Sequence, residues 1–261
     1  MILRAALARR AAPHASAAVA AQRSRLSGLA DGVGATLVFD LDGTLVETAP
    51  DLASAVNALL AELGRPAVTL PQVKHMIGDG MATLTERALE ATGGAPRGGS
   101  DELAERVSQL HGIYTAACCE ETYLYDGVED TLAALHGAGY AMAVCTNKPF
   151  APAEIILERM GVARFFGGAL VGGDTLGPVR KPDAEHLLHT VALAGGDRAA
   201  TDRVVMIGDG HNDILVAKAA GVASIGLTYG YTRTPLAELG ADVLLDTFGE
   251  IPAAAEQLLR A

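Results

Sequence analysis

Six short apolar segments recur along the chain and constrain its fold more than any other feature. They lack the alternation of polar and apolar residues that a half-exposed strand shows, so we expect strands buried on both faces of a parallel sheet. Helical patterns lie between most of them, which predicts an α/β fold with a doubly wound, mostly parallel, Rossmann-like sheet. The predicted strands are 35–39, 140–145, 169–171, 203–207, 223–227 and 243–245, and the helices between them are 128–136, 149–160, 184–193 and 212–220.

Residues 49–124 interrupt this alternation, because they contain no convincing strand. Their apolar spacing predicts a helical cap domain inserted after the first strand, and the catalytic core would then comprise 34–48 and 125–261. An insert at this point can cover the carboxyl ends of the strands, where ligands bind in open α/β sheets. The predicted cap helices are 52–63, 70–76, 81–91 and 102–119.

Residues 1–33 form an extension rich in arginine and alanine. The first 30 residues contain five arginines and no aspartate or glutamate. This composition is typical either of an organelle transit peptide or of a disordered tail, and we favour the disordered tail.

Charge and cysteine content limit the partners and the compartment. The formal net charge of −11 argues against nucleic acid and anionic membranes as partners. The sequence has no apolar run long enough to span a membrane. Three cysteines without a C-x-x-C pair favour the reducing cytoplasm. A small anionic substrate would therefore need a local positive pocket, and the sequence leaves a monomer and a homodimer equally open.

Two carboxylates, Asp40 and Asp42, come directly after the first predicted strand. Residues two apart in extended backbone face the same side, so the two side chains should lie together while Leu41 turns to the core. Neighbouring carboxylates repel each other unless a cation lies between them, and hard oxygen ligands favour Mg²⁺. Gly43 would let the backbone approach a ligand closely. The alternative is a turn with acidic residues that cap a helix.

Further acidic residues follow the strand at 203–207. Asp209 lies in the loop after that strand, and Asp213 lies four residues on, one helical turn away on the same face. Capping of the next helix by Asp209 or Asn212 is the alternative to a metal site.

Two more strand-end loops carry residues that suit a phosphate. Thr146 and Asn147 precede a predicted helix, where free backbone N–H groups bind phosphate, although a simple helix cap would need the same residues. Only four lysines accompany sixteen arginines, and Lys148 and Lys181 lie in these loops. This usage hints at function for Lys181, whereas Lys148 taken alone is expected to be an exposed loop charge.

The chain resembles the haloacid dehalogenase-like superfamily in four segments that follow one another in this order: 38–46, 144–149, 180–182 and 206–213. The helical insert lies in the position of that family's cap. Segments 76–81 and 227–231 add a similarity to the phosphoglycolate phosphatase family. The resemblance implies a phosphatase acting on a small anionic phosphoester, with 2-phosphoglycolate the leading substrate and pyrophosphate or another small phosphomonoester the alternative.

The resemblance also implies roles for individual residues. Asp40 would attack phosphorus and become an aspartyl-phosphate, and Asp42 would protonate the leaving oxygen. Thr146 and Asn147 would hold the phosphoryl oxygens, and Lys181 would neutralise charge on the phosphoryl group and on the nucleophile.

The same resemblance implies a Mg²⁺ cofactor. Its ligands would be the Asp40 side chain, the main-chain carbonyl of Asp42 and the Asp209 side chain, with Asp213 supporting them through water or through Lys181. The acid at position 42 argues against phosphonate cleavage, although Lys74 lies in the cap.

Several alternatives remain open at this point. Arg87, on a predicted cap helix, either reaches a substrate carboxylate or lies on a solvated helix face. The tetrapeptides 77–80 and 207–210 are identical, and we interpret the match as coincidence. A phosphoacceptor signalling domain also combines aspartates, threonine and lysine around Mg²⁺, but the order of residues here and the helical insert argue against it.

Overall fold

The computed structural model of the protein describes residues 34–260; the extension predicted for 1–33 lies outside the described residues. Six strands form one sheet in the order β5-β4-β1-β6-β7-β8, and every neighbouring pair is parallel. The predicted α/β fold with a mostly parallel sheet is therefore confirmed. The strands of this sheet are β1 (Thr36–Phe39), β4 (Ala141–Cys145), β5 (Leu170–Val171), β6 (Val204–Gly208), β7 (Ala223–Leu227) and β8 (Val243–Leu245).

Helices cover both faces of the sheet, because the central strands carry apolar side chains on both faces. In β1, Leu37 and Phe39 pack into the cluster that contains Val128 and Ile251, whereas Val38 faces the opposite cluster around Leu187. Burial on both faces explains why the strands read as continuous apolar runs. The core helices are α5 (Val128–Gly137), α6 (Phe150–Arg159), α7 (Ala184–Leu193), α8 (His211–Ala220) and α9 (Ile251–Arg260).

The segment after β1 forms a helical layer with a core of its own. Its fully buried side chains include Leu60, Leu110 and Tyr114. Tyr231, which lies outside this segment, is buried in the same cluster. The four helices are α1 (Ala49–Glu62), α2 (Leu70–Lys74), α3 (Met81–Glu90) and α4 (Asp101–Ala117). We refer to residues 49–118 as the cap.

Two short strands join the cap to the rest of the chain. β2 (Val46–Glu47) and β3 (Tyr123–Leu124) pair antiparallel, with Val46 opposite Leu124. The expectation that 49–124 holds no strand was wrong at its last two residues, because a strand of two residues leaves no periodicity to detect. The two strands of the connection are thereby held side by side.

One other detail differs from the sequence prediction. β8 lies at the edge of the sheet, and Leu244 is 40% exposed, so this strand is not buried on both faces. Its short apolar run looks the same in sequence as that of a central strand. Within residues 34–260, no helix combines the length and apolarity needed to cross a bilayer.

Candidate active site

The end of β1 directs two carboxylates to the edge of the sheet that faces the cap. The backbone N–H of Asp40 donates to Ile207 O on β6 at 2.9 Å, which continues the sheet. The chain then turns tightly, since the N–H groups of Leu45 and Val46 both return to the carbonyl of the fully buried Leu41. This turn anchors Leu41 in the core, as the two-residue spacing predicted.

Three carboxylates meet beside this turn. One oxygen from each of Asp40, Asp209 and Asp213 lies within 4.8 Å of the other two. Asp209 accepts hydrogen bonds from Thr44 Oγ1 at 2.8 Å and from the Tyr231 N–H at 2.6 Å, so it does not act as a simple helix cap. The two sequence-distant aspartates therefore join the first strand as expected.

The electrostatics of this acidic cluster fit a hard divalent cation. Burial raises the pKa of Asp40 to about 6, with Lys181 opposing and Asp213 adding to the shift. Burial, followed by the charges of Asp213 and Asp40, also raises the pKa of Asp209 well above its ordinary value. Such carboxylates remain charged together at neutral pH when a cation is bound among them, and an all-oxygen donor set suits Mg²⁺.

Gly43 and Gly230 hold the backbone against Asp209. A Cβ at Gly43, whose φ is +83°, would lie 2.4 Å from Asp209 Oδ2, and one at Gly230 would lie 2.1 Å from the same atom. No side chain larger than hydrogen fits at either position without displacing the carboxylate.

Lys181 connects two members of the cluster. Its ammonium lies 2.9 Å from Asp40 Oδ1 and 2.6 Å from Asp213 Oδ1, and the residue is 3% exposed. Burial favours the neutral amine, but Asp213 and Asp40 outweigh it and raise the pKa of Lys181 above its ordinary value. The lysine is therefore charged, and it supplies the local positive centre that the sequence analysis required.

Lys148 is not the exposed loop charge that the sequence predicted. It is 5% exposed, and its ammonium lies 2.9 Å and 3.1 Å from the two carboxylate oxygens of Asp42. The same ammonium lies 4.4 Å from the centre of the Tyr114 ring in the cap. The expectation failed because the ionic partner lies 106 residues away in the chain.

Asp42 has a different environment from Asp40. Besides Lys148, its Oδ1 accepts a hydrogen bond of 2.6 Å from Thr48 Oγ1, at the start of the cap. Its side chain is not one of the three in the acidic cluster found among the described residues. The two carboxylates thus share a location but differ in their charged neighbours, which is the arrangement that separates nucleophilic from acid–base roles.

Thr146 and Asn147 do not cap helix α6, whose N-cap is Pro149. Thr146 Oγ1 accepts the backbone N–H of Lys148 at 3.2 Å. Asn147 Nδ2 donates to Gly78 O and to Lys181 O, both at 3.1 Å. The loop after β4 is therefore bound to the cap and to the loop that contains Lys181. This disfavours the interpretation of Thr146 and Asn147 as a simple helix cap.

The cap contributes the loop 77–80, whose role the sequence analysis did not identify. Asp79 Oδ1 accepts from Asn212 Nδ2 at 2.8 Å, and Asp79 Oδ2 lies 2.6 Å from the guanidinium groups of both Arg233 and Arg87. Burial opposes ionisation, but hydrogen bonds from Arg233, Asn212 and Arg87 lower the pKa of Asp79 to about 2. Asp79 is consequently a charged contact between cap and core.

Arg87 is not among the residues that line the space beside Asp40 and Asp42. Its guanidinium binds Asp79 and the Met76 carbonyl, and it lines an outer groove with Pro71 and His75. The structure thus shows Arg87 in a contact within the cap, and a contact with substrate stays a prediction from the sequence.

Two small cavities flank Asp40 and Asp42. One, of about 40 Å³, lies against the cap; besides the two aspartates it is lined by Leu52, Ile77, Gly78, Gly80, Met81, Leu84 and 146–149. The other, of about 30 Å³, lies on the side of Asp209 and Asp213. We refer to them as the cap-side cavity and the acidic cavity.

Comparison with known proteins agrees with this geometry. The family model of the haloacid dehalogenase-like hydrolases matches residues 35–221. The chain belongs to the haloacid dehalogenase-like hydrolase family.

Relatives within the haloacid dehalogenase-like family narrow the assignment. A phosphoglycolate phosphatase of Agrobacterium fabrum is 44% identical over 225 residues, which cover 85% of this chain and 93% of the relative. One of Caulobacter vibrioides is 40% identical, covering 90% and 96%. A crystal structure of a predicted phosphoglycolate phosphatase from Haemophilus somnus superposes with a TM-score of 0.76 at 33% identity, covering 84% of this chain and 96% of that one. This haloacid dehalogenase-like protein is therefore a phosphatase of the phosphomonoester-hydrolysing class.

Proposed function

We propose that the protein is a Mg²⁺-dependent phosphatase that hydrolyses 2-phosphoglycolate to glycolate and phosphate through a phosphorylated Asp40. One observation carries the proposal. Asp40 Oδ1 lies 2.9 Å from the ammonium of Lys181 and shares the acidic cluster with Asp209, while Asp42, two residues on, stands outside that cluster.

The first half-reaction begins at Asp40. One carboxylate oxygen attacks phosphorus, the bond from phosphorus to the ester oxygen breaks, and that oxygen takes a proton from Asp42 and leaves as the alcohol. Lys181 stabilises the negative charge on the phosphoryl oxygens, and Thr146, which lines the cap-side cavity, would hold those oxygens.

The second half-reaction hydrolyses the aspartyl-phosphate. Asp42, now a carboxylate, takes a proton from water as the water oxygen attacks phosphorus, and the bond from phosphorus to Asp40 breaks. Inorganic phosphate is released and both side chains return to their starting states.

Asp40, Asp209 and Asp213 are the side chains that would hold the Mg²⁺ ion. When bound there, the ion offsets the charge of the nucleophile and of the phosphate, so that two anionic groups can approach each other. The main-chain carbonyl of Asp42 is the fourth ligand in this proposal.

The choice of substrate rests on the relatives and on the size of the site. The two relatives described above are named phosphoglycolate phosphatase and are 44% and 40% identical to this chain over most of its length. The cap-side cavity of about 40 Å³ also favours a leaving group of a few heavy atoms over a sugar.

Phosphate release from a panel of small phosphoesters in Mg²⁺ tests the proposal. We expect the highest kcat/KM for 2-phosphoglycolate, and a tenfold preference for another ester or for pyrophosphate would overturn the substrate while leaving the mechanism intact. Asp40→Asn should abolish turnover, whereas Asp126→Asn, which alters an exposed aspartate, should not. Full activity of the Asp40 variant would remove the proposed nucleophile.

Incubation of the wild-type protein with acetyl phosphate distinguishes an enzyme from a phosphoacceptor signalling domain. After incubation with acetyl phosphate, the enzyme should release phosphate within its turnover time. A stable phosphoprotein would instead support signalling.

A further inference from the structure

The cap-side cavity is the natural location for the leaving group. It borders Asp42, the proposed acid, and its apolar side consists of Leu52, Ile77, Met81 and Leu84. A cavity needs roughly 10–15 Å³ to hold one water molecule. A cavity of about 40 Å³ therefore has space for about three water-sized groups. A leaving group of a few heavy atoms fits such a space better than a sugar does.

Lys148 is the only cationic residue lining this cavity within residues 34–260. Lys181 is already shared by Asp40 and Asp213, and Arg87 binds Asp79 outside the cavity. A leaving group that carries a negative charge therefore has a single lining cation to contact in this cavity.

The ammonium of Lys148 can accept a second anionic partner. It has three N–H donors, and the two oxygens of Asp42 lie 2.9 Å and 3.1 Å from it. The face of the Tyr114 ring is 4.4 Å away, and a ring face is a much weaker partner for an ammonium than a carboxylate. A substrate carboxylate can thus take the remaining donor.

The apolar wall strengthens the selection for charge. A carboxylate without a cationic partner in this cavity would lose its hydration and gain nothing in return, which is costly. With Lys148 as partner, the same low-polarity surroundings strengthen the attraction between the two charges.

We propose that Lys148 is a specificity-determining residue, whose ammonium binds a carboxylate on the leaving group of the substrate while also holding Asp42. This inference rests on the proposed function, because it assigns the carboxylate of a 2-phosphoglycolate-like substrate to a particular side chain. It places a carboxylate receptor in the core loop after β4, and not on the cap arginine that the sequence suggested.

The test compares 2-phosphoglycolate with its amide, 2-phosphoglycolamide, which has nearly the same shape and no carboxylate charge. The quantity measured is the ratio of the two kcat/KM values within one protein, so that a general loss of activity cancels. We expect the wild type to favour the acid by at least about tenfold, which corresponds to about 1.4 kcal/mol. Lys148→Met should bring the ratio close to one, and Lys148→Arg should retain a preference for the acid.

A matched control is available in the cap. Lys74 pairs with Glu47 at 2.6 Å and does not line the cap-side cavity, so Lys74→Met should leave the ratio unchanged. If Lys148→Met does not fold, Lys148→Gln supplies the same neutral comparison, and Lys148→Arg reports the effect of keeping the charge.

The outcomes separate the two proposals. If the wild type hydrolyses the amide as fast as the acid, the site does not recognise the carboxylate and the present inference is wrong, whereas the proposed substrate fails only if the phosphoester panel shows a tenfold preference for another ester. If the wild type prefers the acid and the neutral Lys148 variants keep that preference while losing activity on both esters, Lys148 only positions Asp42 and the present inference is wrong.

Discussion

Asp79 Oδ2 accepts a hydrogen bond from Arg233 Nη2 at 2.6 Å, and this ion pair joins the cap to the catalytic core. The adjoining carbonyl of Gly78 receives the side-chain amides of Asn147 and Asn212 from the core. One cap loop thus docks on two of the loops that follow the sheet strands. The contact between the cap and the core therefore depends in part on a charge pair that salt can screen.

Arg233→Met should weaken this docking without touching the catalytic carboxylates. The pair is half-buried, so we expect a loss of about 1 kcal/mol, or roughly fivefold in kcat/KM. The wild-type kcat/KM should also fall more steeply with added NaCl than that of the variant. Arg164→Met is the matched control, because the Arg164–Glu129 pair is exposed and lies outside both cavities; equal effects of the two variants would contradict a docking role.

Gly43→Ala should disable the acidic cluster while sparing the fold. The new Cβ would lie 2.4 Å from Asp209 Oδ2, so the carboxylate must move. We expect the Mg²⁺ concentration for half-maximal activity to rise at least about tenfold, which corresponds to about 1.4 kcal/mol.

Gly34→Ala is the control for backbone strain in that experiment. Gly34 has φ +79°, close to the +83° of Gly43, but a Cβ there meets no described atom within 4 Å. The two variants should therefore share the cost of a positive φ in thermal unfolding, whereas only Gly43→Ala should lose Mg²⁺ affinity. A similar loss in both would assign the effect to the backbone.

The acidic cluster should make the metal-free protein less stable as the pH rises. Burial raises the pKa of Asp40 from 3.8 to about 6, so between these values the folded protein holds a proton that the unfolded chain has released. The protonated Asp40 therefore adds to the free energy of unfolding below about pH 4. This contribution shrinks as the pH rises and is lost above about pH 6. We expect the Tm in EDTA to drop between about pH 4 and pH 6, and Mg²⁺ to restore it at pH 7.

Asp209→Asn should shrink both effects, because it removes a second buried carboxylate whose own pKa is raised well above its ordinary value by burial and by the charges of Asp213 and Asp40. The variant should show a smaller pH-dependent fall in Tm and a smaller rise with Mg²⁺, whereas Asp126→Asn should match the wild type. A wild-type Tm in EDTA that does not respond to Mg²⁺ at pH 7 would contradict the proposed metal site.

Asp51 should matter for stability and not for the chemistry. Its carboxylate, 5% exposed, accepts hydrogen bonds from the N–H groups of Cys119, Glu121 and Thr122, each at 2.9 Å, and from Thr122 Oγ1 at 2.5 Å. Asp51→Ala leaves these donors without an acceptor where the chain returns from the cap, so we expect a loss of about 3 kcal/mol.

Urea unfolding measures that loss, and Asp126→Ala provides the exposed comparison, with an expected change within about 0.5 kcal/mol. If Asp51→Ala unfolds at the same urea concentration as the wild type, this hydrogen-bond cluster does not stabilise the connection.

The sheet and the order of its main elements could be predicted from the sequence, because burial on both faces leaves a local signal. Strand β7, at Ala223–Leu227, and helix α7, at Ala184–Leu193, have the predicted bounds. The strand at Val243–Leu245 also has the predicted bounds, but it lies at the edge of the sheet and is not buried on both faces. The two-residue pair at Val46–Glu47 and Tyr123–Leu124 was missed. Their pairing depends on neighbours far away in the chain and not on their own residues.

The amino-acid sequence by itself determined which carboxylates follow the strands, since parallel strands end at one edge and bring Asp40, Asp209 and Asp213 together. Only the tertiary structure decided which charges pair. Lys148 finds Asp42 106 residues away, and Asp79 finds Arg233 154 residues away. An ion pair of this kind depends on distance in space and on burial, and neither quantity is encoded in the residues next to it.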